Sequence, residues 1–325
     1  MRKFLDKKML YTVISLSIIY LILMGLMNTG ILNNYYIQIL IVFGINIILA
    51  VSLNLVLGFT GQLALGHAGF MSVGGYTAAI LTMKLGLPFP LVLIAGGMLA
   101  ALFGFLIGMP ILRLKGDYLT ITTLGFGEII RVIIVNLDFL GGPRGLPGIP
   151  KKTTFTIVYL ITILSVMVIY NIINSSQGRA MKSIREDEIA SEAMGINTTS
   201  YKLKAFVIAS FFAGVAGGLY AHYFMFLDPS SFNFLKSTEI LTFVVLGGMG
   251  SLSGSILAAG VLTYLPELLR SFSEYRMIIY SASLIMLMLF RPQGLLGTKE
   301  LSFDMFKKEK PEKESKNKVL AENTR

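Results

Sequence analysis

The feature that most constrains this chain is its long uncharged apolar runs. Met9–Met27 and several later segments approach or exceed about 18 residues, the length at which a helix crosses a bilayer. In hydrocarbon such a segment satisfies its backbone polar groups within itself, so the expected fold is all-α. Hydrophobic residues make up 54% of the sequence, charged residues 14%, and the mean hydropathy is +0.72, which excludes an ordinary soluble domain. The net charge of +10 would suggest nucleic acid in a soluble chain. Here much of it lies in two tails and reads as positive segments kept inside. With no cysteine there is no disulfide or thiolate chemistry, and two histidines are too few for a His-built metal site.

Spans are expected at about 9–27, 35–57, 60–82, 90–112, 118–137, 154–173 and 203–224, then in three shorter pieces at 238–250, 253–269 and 276–290. That makes about ten transmembrane helices, or eight or nine if a glycine-broken piece is re-entrant. Residues 1–8 carry four cations, and no A-x-A cleavage site follows the first apolar run, so an uncleaved span with an inside N-terminus is expected. Counted over ten spans, twenty of the 28 cations fall inside and seven outside, with Arg131 inside a span, which puts both termini in the cytoplasm. The permease domain then covers 9–297, and the Lys/Glu-rich tail 298–325 reads as a disordered extension.

The stretch Leu53–Tyr76 is membrane-like in composition and unlike a plain membrane helix in pattern. Gly58/Gly61 and Gly66/Gly69 remove side chains at close spacing, so another backbone can approach, and they weaken helix continuity. Gln62 and His67 sit among them, and a polar group unpaired in hydrocarbon is costly, so both are expected to face protein or a wet path. His67 is read chiefly as a hydrogen-bonded packing residue; Gln62, whose neutral amide exchanges partners freely, is the better pathway candidate. A second piece, Leu241–Gly260, also runs from a Leu/β-branched segment into a glycine turn and small residues, a loose likeness that suggests two related halves. The loop Asp138–Lys152, with three prolines and four glycines, reads as an irregular surface segment.

Two further stretches carry chemistry. Thr122, Gly125, Glu128 and Arg131 recur every third residue, a small and polar stripe in which Glu128 and Arg131 can pair. Such a pair either ties helices together or touches a solute, and the tie is the simpler reading. Gln177–Lys204 is the long charged segment between spans. Lys182/Glu186 and Arg185/Glu188 have helical pair spacing, predicting one helix of about 12 to 14 residues that stops near Gly195 and Asn197. Charges alternating around Ile184, Ala190, Ala193 and Met194 suit either a solvated loop or docking into a groove on a partner.

Leu53–Tyr76, GDYLTITTLGFGEIIR (116–131), GRAMKSIREDEIASEAMGIN (178–197) and YKLKAFVIASFFAGVAGGLYA (201–221) together resemble the LivM-type membrane permease of branched-chain amino acid ABC importers, from about Asn54 to Gly297. The resemblance implies an inner-membrane, multi-pass transport subunit without enzymatic chemistry, working with a LivH-type permease, two cytoplasmic ATPase subunits and an extracytoplasmic solute-binding protein. It implies that ATP and Mg belong to the partner ATPases. This chain holds no G-x-x-x-x-G-K-[ST] loop of its own. By the same resemblance the ATPase-coupling segment is Ile184, Arg185, Glu186, Asp187, Ala190, Glu192, Ala193 and Gly195. The pathway or helix interface is Gly61, Gln62, Gly66, His67, Gly69, Thr122, Gly125, Glu128 and Arg131. The alternatives are a related permease for urea or short amides, and an ion-coupled transporter using Glu128 or His67.

Overall fold

A computed structural model describes residue 15 and residues 17–27, 29–114, 116–291 and 293–297; the segment 1–8 and the tail 298–325 lie outside the described residues. The chain is a bundle of helices: α1 (Ser17–Met27), α2 (Asn34–Thr60), α3 (His67–Leu85), α4 (Phe89–Ile111), α5 (Asp117–Asn136), α6 (Phe155–Asn174), the short α7 (Ser176–Glu186) and α8 (Glu188–Ala193), then α9 (Thr198–Phe224), α10 (Phe234–Gly247), α11 (Leu252–Leu268) and α12 (Arg276–Phe290). Among the described residues, α2, α4, α5, α6 and α9 are long and apolar enough to cross a membrane by themselves.

α2 is the central post, with Ile48, Leu49, Leu53 and Leu55 fully buried among α6, α9, α10 and α11. Beside it α3, α4 and α9 close on one another at glycine level. A Cβ on Gly74 would run into the Gly214 backbone, and one on Gly96 would come 2.7 Å from the Gly74 carbonyl. Such closeness is how membrane helices gain contact where lipid supplies no hydrophobic drive. The outer helices differ: the apolar windows of α5 and α6 are 28% buried against 78% for α2.

The two ends of the bundle are distinct. At one, here the hairpin end, α7–α8 meets the C-terminus of α2 and the α10–α11 turn, and Leu295 N–H donates to the Leu246 carbonyl at 2.7 Å. At the far end Tyr35 hydroxyl donates to Glu267, and His222 Nε2 lies 2.8 Å from Thr82 Oγ1. His222, two residues from the end of α9, is fully buried there. The 138–152 loop is pinned, not free: Leu146–Pro147 pairs antiparallel with Phe226–Leu227, and Lys152 N–H donates to the His222 carbonyl at 3.2 Å.

The span expected at 60–82 is shifted. α2 runs on through Thr60, and six residues, Gly61 to Gly66, form a non-helical break before α3 starts at His67. The cause is Gly61, whose φ of +71° ends α2 in a left-handed cap that glycine enters at little cost.

Candidate functional site: a latched helix break and a mid-depth cavity

The last carbonyls of a helix have no partner inside it and carry its negative end, so a broken helix presents acceptors. At the end of α2 they are taken. Arg185 Nη1 donates to the Gly58 carbonyl at 2.6 Å and, at 3.4 Å, to the Met249 carbonyl in the α10–α11 turn. The Arg185 Cγ lies 3.5 Å from where a Gly61 Cβ would stand, an ordinary packing distance. Lys182 Nζ lies 5.6 Å over the Phe59 ring. Beneath this latch, fully buried Asn54 joins the same two pieces. Its Nδ2 donates to the Ser251 carbonyl and to Ser255 Oγ, both at 2.9 Å, and its Oδ1 accepts from Gly250 N–H at 3.0 Å. The two glycine-rich stretches that look alike in sequence are thus bonded to each other, and one charged side chain from the α7–α8 hairpin holds both.

The hairpin is two helices where the charge spacing predicts one. Asp187 leaves the helix with φ −155°, and its carboxylate accepts from Ala190 N–H at 3.0 Å to cap α8. The Arg185–Glu188 pair does not form, because the break turns them apart: Glu188 meets Lys202 Nζ at 2.7 Å, while Arg185 reaches the carbonyls and lies 4.0 Å from Glu186. Glu192 accepts from Thr198 Oγ1 at 2.6 Å, and Gly195, at φ +84°, stops α8. Ile184 is 3% exposed and packs inward, so of the apolar residues expected to meet a partner it is the one turned away. Ala190 and Ala193 are exposed. Ile189 and Met194, 75% and 83% exposed, supply the large apolar surface; Ile189 went unnoticed because alternation of charge drew the reading to its neighbours.

The break is stitched to α5. Leu65 N–H donates to Thr123 Oγ1 at 3.0 Å, and Thr120 Oγ1 donates to the Leu63 carbonyl at 3.1 Å. Gly66 and Gly69 allow this approach: a Cβ on Gly69 would stand 3.0 Å from Gly127 Cα. The stripe read from the sequence lies next to this seam. Thr122 bonds back to its own helix at the Tyr118 carbonyl, and Gly125 has open space over its Cα. His67 is buried with Nε2 3.0 Å from Ser52 Oγ. Gln62 is 3% exposed, and neither of its amide atoms has a partner among the described residues.

Glu128 and Arg131 pair at 2.7 Å, each about one-third exposed. They line an open cavity of about 370 Å³ with Ser230, Asn233, Phe234 and Leu235. A narrower cleft continues from it, sharing Glu128, Asn233 and Phe234 and reaching Leu65, Gly69, Gly127 and Ser237 at the break.

Broken helices, a cavity between elements and a surface hairpin bonded to both breaks sit in a bundle with five helices long and apolar enough to cross a membrane among the described residues. Residues 35–290 match the family described as branched-chain amino acid transport system / permease component, and the chain belongs to it. It is 40% identical over 260 residues to the high-affinity branched-chain amino acid transport system permease protein LivM of Salmonella typhimurium, covering 69% of this chain and 61% of that one. It is 26% identical over 250 residues to the probable branched-chain amino acid transport permease protein LivM of Methanocaldococcus jannaschii, covering 67% of this chain and 72% of the relative. Over 152 residues, 46% of this chain and 49% of the relative, it is 30% identical to the permease LivH of Salmonella typhimurium. The chain spans about three fifths of the length of the LivM proteins of Salmonella typhimurium and Escherichia coli. No solved structure matches it.

Proposed function

We propose that this chain is a membrane permease subunit of an ATP-driven importer for branched-chain amino acids, forming half of the translocation path beside a LivH-type permease. Its partners are two ATPase subunits at the hairpin end and an extracytoplasmic solute-binding protein at the far end, over the pinned 138–152 loop. The hairpin end is cytoplasmic, the chain crosses about ten times with both termini inside, and ATP and Mg are bound by the partners. The observation that carries the reading is the Arg185 latch, one side chain of a surface hairpin bonded at once to the end of α2 and to the α10–α11 turn. A groove on an ATPase that takes Ile189 and Met194 moves α8, and through Arg185 that movement reaches both broken elements together.

The family match and the likeness to both LivM and LivH proteins support the substrate class and the paired permease. Isolation from the native membrane in mild detergent, followed by identification of what stays bound, tests the assembly. Recovery of a second permease and two ATPases is expected; a chain that comes out alone contradicts it.

A further inference from the structure

The Glu128–Arg131 cavity lies between α5 and the start of α10, next to the α2–α3 break. α2, with 27 residues, is about 40 Å long, whereas α10, with 14, is about 21 Å. Both end together at the Arg185 latch, so α10 starts about halfway up α2. The chain between α9 and α10 dips to that depth: Phe232 packs on Tyr76 in the middle of α3, at 6.3 Å between rings, and Ser237 Oγ accepts from Ala68 N–H at 3.2 Å. The cavity is therefore at mid-depth, and the cleft below it has no room for a water-sized body before Leu65.

We propose that this cavity is a transient binding site for the zwitterionic amino acid, in which the solute takes the place of the Glu128–Arg131 bond. The inference rests on the importer reading above. Glu128 carboxylate accepts from the α-ammonium, while the Arg131 guanidinium donates in its planar fork to the α-carboxylate. The carboxylate end also meets the positive end of α10, since Phe234 and Leu235 are the first two residues of that helix and their N–H groups have no helical acceptor. The same two side chains, 42% and 70% exposed, form the apolar wall for an aliphatic side chain. The volume fits the lower part of the range of small-molecule sites, roughly 300–1,000 Å³.

Charge balance gives the site its selectivity. One ion pair is exchanged for two, so no charge is left uncompensated at membrane depth. A 2-oxo acid leaves Glu128 without a cation, an amine leaves Arg131 without an anion, and urea offers neither. The resting pair closes the site to all of them.

The test uses the full complex with its permease, ATPases and binding protein in proteoliposomes. Glu128→Gln and Arg131→Gln are each expected to lower ATP-driven leucine uptake about tenfold or more, the worth of a charge-assisted bond, while ATP hydrolysis stimulated by the loaded binding protein persists. In the exchange variant, Glu128→Arg with Arg131→Glu, the pair is kept but the bound solute is reversed and its side chain leaves the apolar wall, so uptake stays low. Wild-type uptake in either single variant overturns the site, and so does rescue by the exchange, which would make the pair a structural bond within α5 rather than the tie between helices read from the sequence. If the wild-type complex shows no ATP-driven uptake at all, the importer reading fails and this site falls with it. A second measurement stands apart from variant folding. The chain has no cysteine, so Leu235→Cys gives it a single thiol in the cavity wall. Millimolar leucine is expected to slow maleimide labelling there, and 4-methylpentanoate and isopentylamine are not; labelling unaffected by leucine overturns the proposal.

Discussion

Glycines line two seams of this protein and do opposite things in them. In the α3–α4–α9 seam, Gly74, Gly75, Gly96, Gly214 and Gly217 bring backbones together so closely that any Cβ meets main chain, which cannot turn aside as a side chain can. Along α5, Gly125 faces open space, and Ile121, Ile129 and Ile133 are about half exposed or more around the helix. The first seam is a welded scaffold. The second is a face with nothing on it in the isolated chain, bordering the mid-depth cavity and stitched to the α2–α3 break. The Arg185 latch holds the two broken elements, the end of α2 and the α10–α11 turn, to each other.

The largest effect is expected from breaking the weld. Gly74→Leu forces α3 from α9 and should cost more than the ~1–3 kcal/mol of ordinary overpacking, because backbone must yield; thermal melting of the purified protein should show loss of the folded state. Next is the latch. Arg185→Ala removes the charged donor of the 2.6 Å Gly58 bond, about 1.5–3 kcal/mol, and the longer exposed contact to Met249, leaving Asn54 alone to join the two pieces. Transport should fall at least about tenfold while the binding protein still captures its solute, and uptake at the wild-type rate would show that the hairpin drives nothing through this residue.

Asn54→Ala tests the joint beneath. It strands Gly250 N–H in a half-buried place, a loss of about 1 kcal/mol, seen as a lower melting temperature with assembly intact. The smallest effect is expected at Gly125→Ala, where space is open and helix propensity favours alanine by about 1 kcal/mol. The lone chain should be as stable as wild type or slightly more so. Any defect should appear only as weaker association with the second permease, and destabilisation of the isolated chain would place α5 inside its own core.

Much of the frame was legible because it depends on composition and punctuation. The helices at 89–111, 155–174 and 198–224 lie within a few residues of the expected spans, and the three short pieces after 234 are three helices. Leu53–Tyr76 was recognisable as a weakened helix from its glycines alone. What periodicity could not supply was partnership across more than a hundred residues. Nothing local marks Asn54 as the partner of Gly250, or Arg185 as the partner of Gly58. The helical spacing of Arg185 and Glu188 pointed to each other instead, and a one-residue break at Asp187 was enough to redirect both. On α5 the three-residue stripe found Glu128 and Arg131 but missed Thr120 and Thr123, which bond the break. Those two differ from Thr122 only in the direction they face, and that is set by what α5 packs against.

If an ATPase-driven movement of the α7–α8 hairpin opens a path through this chain, leucine uptake into proteoliposomes holding the assembled complex, with ATP present or absent inside and an ion gradient imposed or collapsed, should require ATP and be indifferent to the gradient. Uptake by this chain alone, driven by a proton or sodium gradient without ATP, would contradict it and make Glu128 and His67 the sites of ion coupling.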